Sequence, residues 1–186
     1  MKKTLSAVLV STLLIAVLTG CPVKGKEKDI TTIETIAEVG LSELQAREGC
    51  MLRVSNGNCG EMCNTDDEWS STSYEITWDG KIVRNVNYML SGSITDEAVT
   101  LSEEDYMTLF RFAESAYINE SYAEYSEQAA DGESWSYVYF PEDCEDSVCL
   151  YRGYAYSNEE LCQIQEIVKS YFSDETYYGP LHTADQ

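Results

Sequence analysis

The chain has 186 residues, with 33 acidic side chains against 12 basic ones and a single histidine, for a formal charge of −21. A surplus of that sign leaves no basic patch to displace counterions from phosphates, which excludes nucleic-acid binding. Hydrophobic residues make up 44%, an ordinary share for a folded domain, so the charge does not imply disorder.

Met1-Lys2-Lys3 opens the chain, an uncharged apolar run covers 5–18, and Leu18-Thr19-Gly20-Cys21 follows. This is the layout of an export signal: a positive start, an apolar middle and small residues at the cut. The run falls short of the roughly 20 residues that a membrane-spanning helix needs. The last four residues resemble the lipobox of bacterial lipoproteins, in which the cysteine is acylated and becomes the new N-terminus. That resemblance implies cleavage after Gly20 and lipidation at Cys21. Two or more acyl chains anchor stably, since each buried methylene contributes about 0.8 kcal/mol. Pro22 stands where inner-membrane retention would place an aspartate, so the resemblance also implies an outer-membrane or cell-surface address. The tether that follows, 21–29, carries Lys24, Lys26 and Lys28. Loss of Lys2 and Lys3 with the leader leaves ten basic residues against 33 acidic ones. The organisation expected is a signal peptide over 1–20, the tether, a single domain over 30–175 and an irregular tail over 176–186.

Asp29 can cap a short helix with Ile33, Ile36, Ala37 and Val39 as its apolar stripe, ended by Gly40 and continued by a turn over 41–47. A short strand is expected over 51–54, a turn at Asn56-Gly57-Asn58, and a polar loop to Ser73. Tyr74-Glu75-Ile76-Thr77-Trp78 alternates with period two, Asp79-Gly80 signals a tight turn, and 81–89 returns as the second strand of a hairpin. Ser102 caps the next helix with Asp105 as an acidic N3 partner, and Tyr106, Leu109, Phe110, Ala113 and Tyr117 form its buried stripe. After a polar stretch over 119–133, strands are expected at 135–140 and 148–156. A last helix is capped by Ser157, with Glu160 at N3, and runs to about Phe172. Two successive ββα units define an α+β fold: one antiparallel sheet, both helices on one face, the other face more polar.

Besides Cys21, six cysteines remain: Cys50, Cys59, Cys63, Cys144, Cys149 and Cys162. An even number in an exported chain reads as a disulfide framework, and six allow 15 pairings. Cys144 and Cys149 flank one turn and form the easiest pair. Cys162 lies roughly 150° from the centre of the apolar arc of the last helix, so it is expected on the outer face, tied to a crossing loop by Cys50, Cys59 or Cys63. The run Cys59-Gly60-Glu61-Met62-Cys63, then Tyr74-Glu75-Ile76, Asp79-Gly80-Lys81-Ile82-Val83 and Leu101-Ser102-Glu103-Glu104, is similar to an uncharacterised bacterial lipoprotein domain. That domain opens on a Cys-Gly-x-Cys-Pro-x-Tyr motif, followed by a hairpin and a helix. Here the cysteines stand one residue further apart and the proline is missing. The resemblance implies a fold over residues 50–172 and assigns no activity.

His182, alone in the tail, supports neither a Ser-His-Asp machine nor a His-rich zinc site. Cys59-x3-Cys63 lacks the spacing of a redox C-x-x-C. The acid clusters Asp66-Asp67-Glu68, Glu103-Glu104-Asp105 and Glu142-Asp143-x-Glu145-Asp146 match no calcium-loop spacing and read as solvated charge. No metal, cofactor or catalytic residue is therefore assigned. The function expected is a lipid-anchored, non-catalytic binding module of the cell envelope, its acidic surface suited to a basic protein. The alternative is a hydrolase of envelope polysaccharide built on two carboxylates or an assisting metal. Fourteen tyrosines against four phenylalanines suit half-wet strands more than a binding face.

Overall fold

A single helical turn, α1 (Leu41–Leu44), leads into β1 (Cys50–Asn58), β2 (Trp69–Thr77), β3 (Lys81–Tyr88) and the short β4 (Gly92–Thr95) and β5 (Val99–Thr100). Helix α2 (Glu103–Asn119), strands β6 (Glu133–Tyr139) and β7 (Val148–Gly153), and helix α3 (Glu159–Ser170) complete the order. These elements come from a computed structural model that describes residues 41–58, 68–128, 132–142 and 146–173. The fold is α+β, as expected: one seven-stranded antiparallel sheet in the order β4-β3-β2-β1-β6-β7, with β5 pairing β3 beside β4. The two hairpins share that sheet, but β1 stands between them.

Alternation sorts the strand residues onto two sides. Leu52 and Val54 of β1, Tyr74 and Ile76 of β2, Ile82 of β3, and Trp135, Tyr137 and Tyr139 of β6 are all buried in one cluster with Leu109, Phe110, Ala113, Leu161, Ile164 and Val168 of the helices. Tyr137 touches both helices: its ring meets Phe112 edge-on at 5.7 Å and its hydroxyl donates to the Leu161 carbonyl at 3.1 Å. The positions between these on the strands are Arg53, Ser55, Ser71, Ser73, Glu75, Val83, Asn85, Asn87, Ser134, Ser136 and Val138, a mostly polar set facing away from the helices.

The β2–β3 turn falls at Asp79-Gly80 as the sequence dictates. Gly80 has a φ of +80°, a backbone conformation that calls for glycine, and the mobile end of Gln45 fills the space beside it. Ser102 caps α2: its hydroxyl oxygen accepts from the Asp105 amide at 3.1 Å and its O–H donates to Asp105 Oδ2 at 2.7 Å. Three acids in that first turn complement the helix dipole.

Four expectations are corrected. Asn56-Gly57-Asn58 is not a turn, because β1 runs through it with Asn56 paired to Thr72 and Trp135. Of the polar loop expected up to Ser73, the stretch from Trp69 is strand β2; serines and threonine here serve a sheet with one wet side. Strand β7 stops at Gly153 rather than residue 156. Helix α3 is capped by Asn158 rather than Ser157: the Asn158 Oδ1 accepts from the Leu161 amide at 2.9 Å, and asparagine caps as well as serine does. The first helix expected over 29–40 lies outside the described residues.

A core on one side of the sheet makes a direct prediction. Ile82→Ala, on the helix side of β3, should lower stability by about 2–5 kcal/mol in urea denaturation. Ser55→Ala, on the opposite side of β1, should change it by less than about 0.5 kcal/mol. Equal losses would contradict the two-sided assignment.

Candidate functional site

Strand pairing sets the polar side in rows. One row reads Asn85, Ser73, Ser55, Ser136 and Arg152 across β3, β2, β1, β6 and β7; the next reads Asn87, Ser71, Gly57 and Ser134. Thr95 and Ser93 of β4 extend the two rows, with Thr95 donating to Asn85 Oδ1 at 2.7 Å and Asn87 to Ser71 Oγ at 3.0 Å. Small side chains in both rows leave a trough of about 460 Å³, bounded by Arg53 and Arg152. Arg53 pairs with Glu75 at 3.0 Å and lies over the Phe140 ring at 5.3 Å.

The helix side carries the opposite charge. Glu103 and Glu104 are exposed, but Asp105, the third acid of that cluster, is committed to the Ser102 cap and to the Tyr171 hydroxyl at 2.5 Å. Of the third cluster, Glu142 pairs with Arg47 at 2.8 Å. Asp66, Asp67, Asp143 and Glu145 lie outside the described residues, as do Cys21, Cys59, Cys63, Cys144 and His182. No group of three metal-ligating side chains occurs among the described residues. A second groove, between the helices, is lined by Arg111, Phe112, Ser115 and Glu160 among others. A small one of about 140 Å³ lies between the end of α2 and β7, beside Cys149.

Tyrosine hydroxyls serve several of the carboxylates that arginine and lysine do not reach. Tyr139 donates to Glu114, Tyr122 to Glu160 and Tyr125 to Glu127. Burial, then the Glu160 carboxylate, raises the Tyr122 phenol; burial pushes Tyr106 up to about 12, and its hydroxyl donates to the Trp78 carbonyl at 2.9 Å. Glu127 is the most heavily committed acid. It accepts from the Tyr156 amide at 2.9 Å and the Ser157 amide at 3.1 Å, which fastens the segment before α3 to the one after α2. Burial works to raise its carboxyl. The bonds from Tyr125, Tyr156 and Ser157 outweigh that and bring it down from 4.5 to about 2.

Cys50, Cys149 and Cys162, the cysteines among the described residues, are free thiols; Cys59, Cys63 and Cys144, the other members of the expected framework, lie outside those residues. Burial, then the Glu75 charge, pushes Cys50 up to about 12. Cys149 is exposed on β7. Cys162 is half-buried rather than on an outer face, because residues 154–157 fold over that side of α3 and the thiol reaches the Ala155 carbonyl at 3.6 Å. Burial, then Glu127 and Glu166, raises it. The apolar stripe of α3 also omitted Gln165, which is buried and donates to the Tyr137 hydroxyl at 3.0 Å and the Ala155 carbonyl at 2.8 Å.

Comparison with known protein families, with curated proteins and with solved structures finds no match to this chain.

Glu127 sets a pH dependence. Its carboxyl lies lower in the folded chain than in the unfolded one. The stability it contributes is therefore present in full above 4.5 and is lost as pH falls towards 2. Glu127→Gln should destabilise the chain at pH 7 and flatten the fall in melting temperature between pH 5 and pH 2. A variant with an unchanged acid slope would remove Glu127 from this role.

Proposed function

We propose that this chain is an exported, lipid-anchored, non-catalytic module of the bacterial cell envelope, and that it captures a basic protein on its helical side. The observation that carries the reading is the charge of the helix surface. Glu103, Glu104, Glu120, Glu159, Glu160 and Glu166 are exposed there, and Arg111 is the exposed base on α2 and α3. A surface of one sign accelerates encounter with an oppositely charged partner and suppresses encounter with a like-charged one. The leader and Leu18-Thr19-Gly20-Cys21 support the anchor and an outer-membrane or cell-surface address. No helix among the described residues is long and apolar enough to cross a membrane. Acyl chains on Cys21 would hold the domain at the surface by the 21–29 tether.

The proposal extends to the cysteines. In an oxidising compartment Cys50, Cys59, Cys63, Cys144, Cys149 and Cys162 close as three cystines. Cys149, exposed on an edge strand a few residues after Cys144, is the best placed to react.

Two measurements test the reading. The immobilised chain should retain a basic protein from envelope extract at low salt, with association slowed by added salt. It should also be slowed when Glu103, Glu104, Glu159 and Glu166 are all changed to glutamine. Capture that ignores both salt and these substitutions contradicts the charge argument. Mass spectrometry of native material should show an acylated Cys21 and no alkylated cysteine before reduction; an intact leader with six alkylated thiols contradicts export and bracing.

A further inference from the structure

The trough on the open side of the sheet differs in chemistry from the rest of the surface. Ser55, Ser73, Ser134 and Ser136 form its floor around Gly57. Hydroxyls on neighbouring strands stand about 4.8 Å apart and those along a strand about 6.7 Å, a grid in which each oxygen can both donate and accept.

Gly57 sits within β1, the strand between the two hairpins, and glycine inside a strand weakens it unless something approaches closely. A Cβ at this position would meet the Ser70 carbonyl at 3.3 Å, a tight approach to backbone, and Ser71 Cβ at 3.5 Å. What its missing side chain provides is the depth of the trough.

Arg152 stands on β7 opposite Ser136 and is exposed. Among the described residues it has no carboxylate partner, whereas Arg53, at the other border, is held by Glu75. An uncommitted guanidinium beside a hydroxyl floor is notable in a chain with 33 acids and 12 bases. Its planar fork matches a carboxylate or phosphate. Tyr74, Trp135, Tyr137 and Tyr139 are buried on the helix side, no aromatic lines the trough, and the Phe140 ring beside it is faced by the Arg53 guanidinium, so a neutral sugar ring finds no open aromatic face in its lining.

We propose that this trough binds an oxyanion carried on a polyhydroxylated chain, a uronate or a polyol phosphate. Arg152 forks onto the oxyanion, and the serines hydrogen-bond the chain's hydroxyls. The site is separate from the acidic helical side and stands whether or not that side captures a basic protein.

Calorimetric titration of the full chain with trigalacturonate, glycerol 3-phosphate and maltotriose tests it. At least one of the two anions should bind, which also tells carboxylate from phosphate, and maltotriose should bind at least tenfold more weakly. Arg152→Gln should weaken the anion roughly tenfold or more, as loss of charge-assisted hydrogen bonds does. Ser136→Leu, which fills the floor and leaves Arg152 in place, should also weaken it, with the circular dichroism of both variants unchanged. Arg111→Gln, on the helix side, should leave affinity as it is. Binding of neither anion, equal binding of maltotriose, full affinity in Arg152→Gln or in Ser136→Leu, or an equal loss in Arg111→Gln would each overturn the proposal.

Discussion

A chain with almost three acids for every base cannot hold its carboxylates by ion pairing alone, and the fold depends on how it holds them instead. Phenol hydroxyls do much of that work. Tyr139 ties β6 to Glu114 of α2, and Tyr122 ties the turn after α2 to Glu160 at the start of α3. Tyr171, just past the end of α3, reaches back to Asp105 in the first turn of α2. Each ring packs in or against the core while its hydroxyl meets a carboxylate at the edge, an arrangement that suits tyrosine and is closed to phenylalanine. A hydrogen bond to a charged group contributes about 1.5–3 kcal/mol, more than an exposed ion pair does. The surplus of tyrosine over phenylalanine and the surplus of acid over base are in this sense one property.

Ion pairs play a narrower part. Arg84 is buried, bonded to Asp96 at 2.5 Å and to the Ser173 carbonyl at 3.3 Å, with its guanidinium 4.7 Å over the Phe172 ring. That set fixes the chain beyond α3 against β3. Lys169 similarly lies 4.8 Å over the Trp135 ring. These two cations sit where an aromatic face can take their stems, and on the outer side of the helices acids outnumber bases. The two surfaces of the domain thereby acquire different character: carboxylates predominate on the helices, and on the open sheet stand hydroxyls, amides and two arginines, one of them held by Glu75.

Legibility in the sequence followed the physics of each element. The β2–β3 hairpin and α2 were readable because apolar alternation, Asp79-Gly80 and the Ser102 cap all pointed the same way. The first half of β2 and the end of β1 were not. Their outward residues are serine and glycine, turn formers by propensity, which the sheet accepts only because its open side carries no apolar cover. Gln165 escaped notice because an apolar stripe cannot show a buried amide whose partners are a phenol and a carbonyl. Ser157 and Asn158 are adjacent and both good caps, so local propensity does not choose between them. The trough was invisible for a related reason: it exists only once Ser55, Ser73, Ser134, Ser136 and Arg152, drawn from four strands, fall into register.

The tyrosine–carboxylate bond between sheet and helix is the feature to measure. In a double-mutant cycle on Tyr139→Phe and Glu114→Gln, the two losses in unfolding free energy at pH 7 should be strongly non-additive, with a coupling of about 1 kcal/mol or more. Additive losses would mean that the phenol and the carboxylate act independently, and that something other than these bonds holds the helices to the sheet.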